Sequence, residues 1–250
     1  MAHNFKVSVI TATLNEGGNV IPFLERLEHS IKNLDYEIVV VDDNSTDGTI
    51  QLLERRQMEN SYINIVVNSE RKGLLFSNLE GLRVAKGEIK VILDADLQHP
   101  PEEIPRSIEK IREGYDGVVM SRFVDNAYQE RRDNLRELIT SLAIKLCHAT
   151  LPQTRKYSDP VSGFFTLGKN MKVPYTALME KFAKFRGYKT LIPILVENSD
   201  KKIVEIPYLF GKRNWGETKI STEGFLIFRY LRELYLYREV EKETAFEHDR

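Results

Sequence analysis

Residues 90–102 read K-V-I-L-D-A-D-L-Q-H-P-P-E and join an apolar run to a pair of carboxylates. The run Val91–Leu93 is typical of a buried strand, and the closing P-P-E favours the first turn of a helix. Alternation along an extended chain would point Asp94 and Asp96 to the same side. Because two such carboxylates repel each other, a hard divalent cation with oxygen ligands is the favoured partner, and Gln98 offers a further carbonyl oxygen. A D-x-D pair also recurs by chance, so a strand end followed by a capped helix is the alternative interpretation.

Apolar strands alternate with amphipathic helices through the first half of the chain. The predicted strands are Val7–Ile10, Tyr36–Val41, Tyr62–Val67 and Val91–Leu93, with a helix in each interval. Continuous apolar strands joined by helices predict an α/β fold with a mostly parallel sheet and helices on both faces. In such sheets the ligand site lies beyond the carboxyl ends of the strands.

Polar side chains follow three of these strands at the point where each strand ends. Asn15 and Glu16 follow the first, Asp42 and Asp43 the second, and the acids of residues 94–96 the fourth. Glu16 and Asp43 could accept hydrogen bonds from ribose hydroxyls or base N–H groups. Asx-rich turns after strands are the alternative explanation.

The composition narrows the class of protein. The chain has 250 residues, a net charge of −1 from 36 basic and 37 acidic side chains, and one cysteine, Cys147. A balanced charge gives no indication of nucleic-acid binding, and a lone cysteine fits a reducing compartment. The pattern G-x-x-x-x-G-K-[ST] is absent, and no G-x-G-x-x-G follows the first strand, so a P-loop NTPase and a dinucleotide-binding site are not supported. With no signal peptide and no uncharged apolar run of about 20 residues, the expected location is the cytosol or the cytoplasmic face of a membrane, as a peripheral protein.

The second half of the chain changes pattern. A strand at Gly117–Met120 leads to Arg122, which suits a phosphate, although a surface arginine is the plain alternative. Further on we predict an amphipathic helix at 134–151, a helical region at 175–197, a strand at Ile203–Pro207, an amphipathic helix at 221–240 and a frayed tail at 241–250. The simplest division is a domain of residues 1–220 with a C-terminal appendage of residues 221–250.

Six segments of the chain, in order, resemble the family 2 glycosyltransferases of the GT-A fold. They are V-V-D-D-N-S-T-D-G-T (40–49), L-D-A-D-L-Q-H-P-P-E (93–102), S-R-F (121–123), R-E-L-I-T (136–140), D-P-V-S-G-F-F (159–165) and R-N-W-G-E-T-K (213–219). Within this family the chain is most similar to the dolichyl-phosphate mannose synthases and related polyprenyl-phosphate sugar synthases. The first motif departs from the family's usual Pro-x-Tyr-Asn-Glu, since residues 12–16 read A-T-L-N-E, so the base of the donor stays open.

The resemblance implies three groups of site residues. The nucleoside pocket would comprise Ala12, Leu14, Glu16, Val41 and Asp43. The metal and the donor diphosphate would be held by Asp94, Ala95, Asp96 and Gln98, of which Asp94, Asp96 and Gln98 are the metal ligands. A cationic floor of Arg122, Arg136 and Arg213 would contact the donor and receive the acceptor phosphate, and with Asp96 these arginines would form the catalytic set.

The implied reaction is an inverting transfer of a hexose, mannose in the first instance, from a nucleotide-sugar to a polyprenyl or dolichyl phosphate, with Mg²⁺ or Mn²⁺ as cofactor. The helices at 134–151 and 221–240 would contact the membrane surface, the protein's own core, a second copy of the chain or a membrane subunit.

Three alternatives remain open at the sequence level. The donor could be UDP-glucose or UDP-N-acetylglucosamine. The acceptor could be a glycan or protein hydroxyl, with Asp159 as the base; a cap or turn before Pro160 is the structural explanation of that residue. From a different class, the chain could be an inactive subunit that only binds a nucleotide-sugar.

Overall fold

A seven-stranded sheet forms the centre of the molecule. The computed structural model describes residues 6–124, 134–182, 187–211 and 226–248, without the side chains of 134–136, 226–227 and 243–248. The strands are β1 (Val7–Thr13), β2 (Tyr36–Asp42), β3 (Ile63–Val67), β4 (Ile89–Ile92), β5 (Gly117–Ser121), β6 (Phe165–Leu167) and β7 (Ile203–Pro207). Their order across the sheet is β3-β2-β1-β4-β6-β5-β7.

One strand of the sheet runs against the others. The first four strands in that spatial order pair in parallel, as do β5 and β7, while β6 is antiparallel to both β4 and β5. The carboxyl ends of β1, β2, β4 and β5 therefore lie at the same edge as the beginning of β6. The predicted mostly parallel α/β sheet is confirmed.

Helices cover both faces of the sheet, as predicted. The described helices are α1 (Val20–Ile31), α2 (Thr49–Glu59), α3 (Leu74–Val84), α4 (Ile104–Arg112), α5 (Asn134–Thr150), α6 (Tyr175–Phe182), α7 (Leu191–Glu197) and α8 (Leu226–His248). Successive strand residues face opposite layers, since Val9 packs with α1 and α4 while Ile10 packs with α3 and α7. A further apolar cluster joins α3 to α5, α6, α7 and α8.

The predicted helical region over 175–197 is two helices. Residues 187–190 are not helical, and Gly187 lies so close to the Leu75 side chain of α3 that a Cβ there would be 2.7 Å from Leu75 Cδ2. Pro193 would break a continuous helix, but it is tolerated in the first turn of α7, where no intrahelical partner of its nitrogen is lost.

The C-terminal segment is also more ordered than predicted. Helix α8 extends to His248, whereas the sequence predicted a frayed tail from residue 241. Val240 is buried, Gln153 donates a hydrogen bond to Glu241, and Lys242 pairs with Glu239 one turn back. In the described ranges, no helix is long and apolar enough to cross a bilayer. The division at residue 220 stays a prediction.

Replacing Gly81 by alanine is expected to destabilise the fold. A Cβ at this position of α3 would overlap Ile10 Cγ2 and lie 3.3 Å from Val41 Cγ2, and both side chains are fully buried. Overpacking of this kind costs about 1–3 kcal/mol, which is as large as or larger than the roughly 1 kcal/mol that alanine gains over glycine in a helix. Urea unfolding followed by circular dichroism measures the difference. Gln51→Ala on the exposed face of α2 is the control and should stay within about 0.5 kcal/mol of the parent; a Gly81→Ala protein as stable as the parent would contradict the close packing.

Candidate functional site

The polar ends of four strands and one loop meet at a single edge of the sheet. Because β6 runs against its neighbours, the loop of residues 159–163 that precedes it reaches the edge where β4 ends. A Cβ on Gly163 would lie 3.0 Å from Asp94 Oδ2 and 3.0 Å from His99 Cε1. The carboxylate of Asp94 therefore lies directly against the backbone of this loop, 69 positions along the chain.

The two acids after β4 lie in a turn and not on an extended strand. Strand β4 ends at Ile92, and Leu97 adopts a left-handed conformation with φ of 65°. The Asp96 carboxylate accepts the backbone N–H of Gln98 at 3.1 Å, which fixes the turn. The expected extended conformation of the two acids is thus wrong, although their position beyond the strand end is as predicted.

The donor set at this turn fits a divalent cation that is shared with a substrate. Asp94 has 38% of its side chain exposed, Asp96 is half-buried, and Gln98 donates its Nε2 to the carbonyl of Gly211 at 3.2 Å, so its Oε1 is the atom left to act as a ligand. Among the described residues no group of three or more His, Cys, Asp or Glu side chains is arranged as a metal site. Mg²⁺ is commonly held by one or two carboxylates together with substrate phosphates, and these residues match that pattern. Ala95, between the acids, points into the apolar core.

A buried histidine holds the first acid in place, and the sequence reasoning missed it. The N–H of Asp94 donates to His99 Nδ1 at 3.1 Å. The ring is only 3% exposed and lies between the rings of Phe164, Tyr208 and Phe210, at centroid distances of 5.7, 5.9 and 5.5 Å. An accepting Nδ1 requires the tautomer protonated on Nε2. The Q-H-P sequence that follows D-x-D is the pattern from which this histidine could have been predicted.

The acids after β2 organise the neighbouring loops. Asp42 is fully buried and accepts hydrogen bonds from the Thr13 hydroxyl and from the N–H and hydroxyl of Ser45, each at 2.7 Å. Asp43 accepts the N–H groups of Lys72 and Gly73 at 2.7 and 2.9 Å. The carboxylate predicted to contact a nucleoside therefore also fixes the loop that leads into α3.

The other predicted nucleoside residues lie at the ends of β1 and β2. Glu16 is 6% exposed and accepts the Asn19 amide at 2.6 Å. Ala12 and Leu14 are half-buried at the end of β1. Val41 is fully buried with its side chain toward α3, so a nucleoside could meet only its main chain. The structure brings these residues to the same edge as the acids.

Arg122 and Asp159 form a buried ion pair at the end of β5. The guanidinium Nε and Nη2 each lie 2.7 Å from one oxygen of Asp159, and the Arg122 N–H also donates to this carboxylate. The two side chains are 10% and 0% exposed. Burial disfavours the charged guanidinium, but the adjacent carboxylate outweighs it and raises the pKa of Arg122 above its ordinary value.

Two more charged residues at the site were not identified from sequence. Glu205 of β7 accepts the N–H groups of Ser158 and Asp159 at 2.7 and 2.9 Å and so holds the loop that carries the ion pair. Lys189, in the segment before α7, extends its amine to the carbonyl of Val161 in the same loop at 3.4 Å. Neither lies in a recognisable motif, and only the fold brings them here.

The remaining predicted cations cannot be placed. Arg136 lies in the first turn of α5, but its side chain is outside the described residues, and Arg213 is outside them altogether. Their predicted roles stay predictions.

Comparison with known proteins identifies relatives of this chain by sequence. The chain is 39% identical over 231 residues to the dolichol-phosphate mannosyltransferase of Pyrococcus furiosus, covering 92% of this chain and 63% of that protein's length. It is 31% identical to the dolichol-phosphate mannosyltransferase of Mycosarcoma maydis, covering 92% of this chain and 79% of the relative.

A solved structure shares the fold at lower identity. It is the glucosyl-3-phosphoglycerate synthase of Mycobacterium tuberculosis, crystallised with Mn²⁺, uridine-diphosphate-glucose and phosphoglyceric acid. The TM-score is 0.62 at 19% identity, over 94% of this chain and 80% of that one. Residues 8–167 match the family model described as glycosyl transferase family 2, which covers more than half of the chain. The chain therefore belongs to glycosyl transferase family 2.

Proposed function

We propose that the protein transfers a hexose, mannose in the first instance, from a nucleotide-sugar to a polyprenyl phosphate such as dolichyl phosphate, with inversion at the anomeric carbon. The main observation behind this proposal is that the Asp94 carboxylate lies against the loop that contains Asp159 and Gly163. That contact places the two acids beside the loop whose Asp159 is paired with Arg122, so a potential metal site and a cation lie at one edge of the sheet, as transfer from a diphosphate to a phosphate requires. The names of the dolichol-phosphate mannosyltransferase relatives support the choice of substrates.

Different residues of the chain would act on the leaving group and on the acceptor. Asp94 and Asp96 would hold Mg²⁺ or Mn²⁺, which when bound neutralises charge growing on the leaving diphosphate. Support for a divalent ion comes from the donor chemistry of the turn and from the Mn²⁺ in the glucosyl-3-phosphoglycerate synthase complex. An acceptor phosphate is already an anion near neutral pH, so it needs positive charge to approach the donor and no base to activate it. Arg136 and Arg213 are proposed to supply that charge.

The surroundings of Asp159 favour a phosphate acceptor over a hydroxyl acceptor. A general base must reach the proton that it removes, either directly or through one water. Both carboxylate oxygens of Asp159 are bound by Arg122, and the side chain is fully buried. The carboxylate thus positions Arg122 and the strand end instead of facing an acceptor.

Two helices provide the surface that would contact the lipid. Helices α5 and α8 pack together, with the Tyr230 hydroxyl donating to the Ala143 carbonyl at 3.0 Å. Their outward side chains include large exposed apolar residues: Leu138, Ile139 and Leu142 on α5, and Phe228, Leu231 and Tyr235 on α8. An exposed apolar face beside charged residues is typical of helices that lie in a membrane interface. We propose that this face docks on the membrane that holds the acceptor, on its cytoplasmic side; association with a second copy or a membrane subunit is the alternative use of the same face.

Removal of either turn acid should abolish most of the transfer. Asp94→Asn and Asp96→Asn are each expected to lower kcat/KM by about 100-fold or more, because loss of a direct ligand exceeds the 10–100-fold typical of outer-shell changes. Chelation with EDTA should have the same effect and Mn²⁺ or Mg²⁺ should restore activity. The assay follows radiolabel from GDP-mannose, UDP-glucose or UDP-N-acetylglucosamine into polyprenyl phosphate. Glu109→Gln, on the exposed face of α4, is the control; full activity in EDTA would contradict a metal-dependent reaction.

Asp159→Asn separates the two acceptor classes. Breaking a buried ion pair typically costs about 3–5 kcal/mol of stability, so thermal unfolding should shift markedly downward. On a phosphate acceptor the variant should retain measurable turnover below its unfolding temperature, and Arg213→Ala should be the more severe change. If Asp159→Asn stayed folded yet transferred no sugar to the lipid phosphate, whereas Arg213→Ala remained active, Asp159 would be a base and the phosphate assignment would be wrong.

Charges on the apolar face should weaken lipid binding without harming the fold. Leu138→Asp and Phe228→Asp, both 66% exposed, are expected to reduce co-sedimentation with vesicles of phosphatidylcholine and an anionic lipid by about 10-fold each. Met58→Asp, 87% exposed on α2, is the matched control. Unchanged sedimentation together with a loss of dimer in light scattering would assign the face to a second copy of the chain.

A further inference from the structure

His99 lies against both the main chain and the carboxylate of Asp94. Its Nδ1 accepts the Asp94 N–H at 3.1 Å and is 3.5 Å from Asp94 Oδ2. A distance of 3.5 Å is beyond the usual range of a hydrogen bond, so the main-chain bond is the stronger of the two contacts. The imidazole is 4% exposed and the Asp94 side chain is 38% exposed. A buried ring therefore holds a residue whose carboxylate is open to solvent.

Three aromatic rings and a glycine fix the position of the imidazole. Phe164, Tyr208 and Phe210 pack around it, and Tyr208 is also edge-on to Phe164 and Phe210, at centroid distances of 5.6 and 6.2 Å. We call His99 and these three rings the histidine box. A Cβ on Gly163 would be 3.0 Å from His99 Cε1, so a larger residue there would push against the imidazole. Rotation of the imidazole would displace several buried side chains.

The histidine box joins the metal turn to the second half of the chain. Phe164 comes from the loop before β6, whereas Tyr208 and Phe210 follow β7. The segment after β7 is also bound directly to the turn. The Gly211 N–H donates to the Gln98 carbonyl at 2.9 Å, and the Gln98 amide donates to the Gly211 carbonyl at 3.2 Å. The place of the imidazole is thus decided by two distant segments and not by the turn alone.

The bond to His99 has a consequence for a metal held by the turn. Mg²⁺ requires its oxygen ligands at about 2.1 Å in nearly octahedral geometry, so a small rotation of one ligand weakens binding. The Asp96 carboxylate is fixed by the Gln98 N–H. The direction of the Asp94 carboxylate depends on its main chain, which His99 holds. If position 99 offered no acceptor, the Asp94 N–H would lose this bond, and the main chain could turn and carry the carboxylate with it.

We propose that His99 is a positioning residue for the divalent cation. By accepting the Asp94 N–H from a fixed place in the histidine box, it sets the direction of the Asp94 carboxylate and with it the affinity for the metal. This inference rests on the proposed function, in which Asp94 and Asp96 hold Mg²⁺ or Mn²⁺. It adds a residue that acts through Asp94 and is not itself a ligand. Position 99 then has two separable properties: a size that fills the box and an acceptor that the turn requires.

Two substitutions separate the acceptor from the packing. His99→Leu fills the apolar box but offers no acceptor to the Asp94 N–H. His99→Asn leaves a cavity in the box, but its amide oxygen stands as many bonds from the main chain as Nδ1 does and can accept that N–H. Positioning therefore predicts that His99→Leu binds metal more weakly than His99→Asn although it is the more stable protein. A purely structural role predicts that metal affinity follows stability, which is the opposite order.

Mn²⁺ binding to the full chain is the direct measurement, made by EPR spectroscopy with the ion alone and with GDP or UDP present. Loss of an outer-shell partner typically lowers metal affinity by about 10- to 100-fold, so His99→Leu should raise the Mn²⁺ Kd by about that factor. His99→Asn should stay within about 3-fold of the wild type. Circular dichroism gives the unfolding temperatures, and binding is measured where every variant is folded. The positioning role is overturned by an unchanged Kd in His99→Leu, or by a loss in His99→Asn as large as in His99→Leu.

The matched control is His148→Leu. His148 is half-buried, and its Nε2 also lies within hydrogen-bond distance of a main-chain atom, the Tyr157 carbonyl oxygen at 3.0 Å. It belongs to α5 and stands outside the histidine box, so its loss should lower the unfolding temperature and leave the Mn²⁺ Kd unchanged. The same rise in Kd in His148→Leu would assign the effect to a loosened fold and overturn the role of His99. Wild-type protein that binds Mn²⁺ under none of these conditions and transfers no sugar from any donor would overturn the proposed function itself.

Discussion

The buried ion pair between Arg122 and Asp159 is the contact on which the geometry of the site depends. It joins the end of β5 to the loop before β6, and these segments are 37 positions apart in the chain. Neither charge could be buried alone, because an unpaired ion in the interior costs several kcal/mol. The pair therefore fixes the loop, and the loop in turn places Gly163 against Asp94 and the Val161 carbonyl beside Lys189. Glu205 adds a second anchor through the backbone of Ser158 and Asp159.

The strand β6 makes this arrangement possible. In an all-parallel sheet every loop that precedes a strand lies at the edge opposite to the ligand site. Since β6 is inserted antiparallel between β4 and β5, its preceding loop crosses to the edge where the acids lie. The same edge then receives groups from both halves of the chain, and α8 behind it holds the segment that carries Lys189, since Glu233 accepts the Lys189 N–H and the Tyr237 hydroxyl donates to the Lys189 carbonyl.

Much of the fold follows from local patterns. A helix was predicted between the first two strands, and the buried residues of α1, which are Val20, Phe23, Leu24, Leu27 and Ile31, recur at helical spacing. The runs at 7–10 and 36–41 form β1 and β2, each extended by one to three residues. Errors arose where a distant contact decided the local conformation. Gly187 lies outside the helical pattern where it packs on Leu75, and the last helix continues past residue 240, where Glu241 accepts a hydrogen bond from Gln153.

The sequence by itself determined the class of sheet and the position of the acids Asp94 and Asp96 at the carboxyl edge, where we propose that ligands bind. These properties depend on the spacing of apolar residues and on residues that are only a few positions apart, so they can be read from the sequence. Only the tertiary structure decided what each charged group faces. Arg122, whose motif suggested a phosphate ligand, forms an ion pair with Asp159. His99 stands within a recognised motif, but only its contact with the Asp94 backbone shows its role, and Lys189 lies in no motif at all. The physical reason is that the energy of a buried charge depends on which other charges the fold brings within a few ångströms, and that choice is made between residues far apart in the chain.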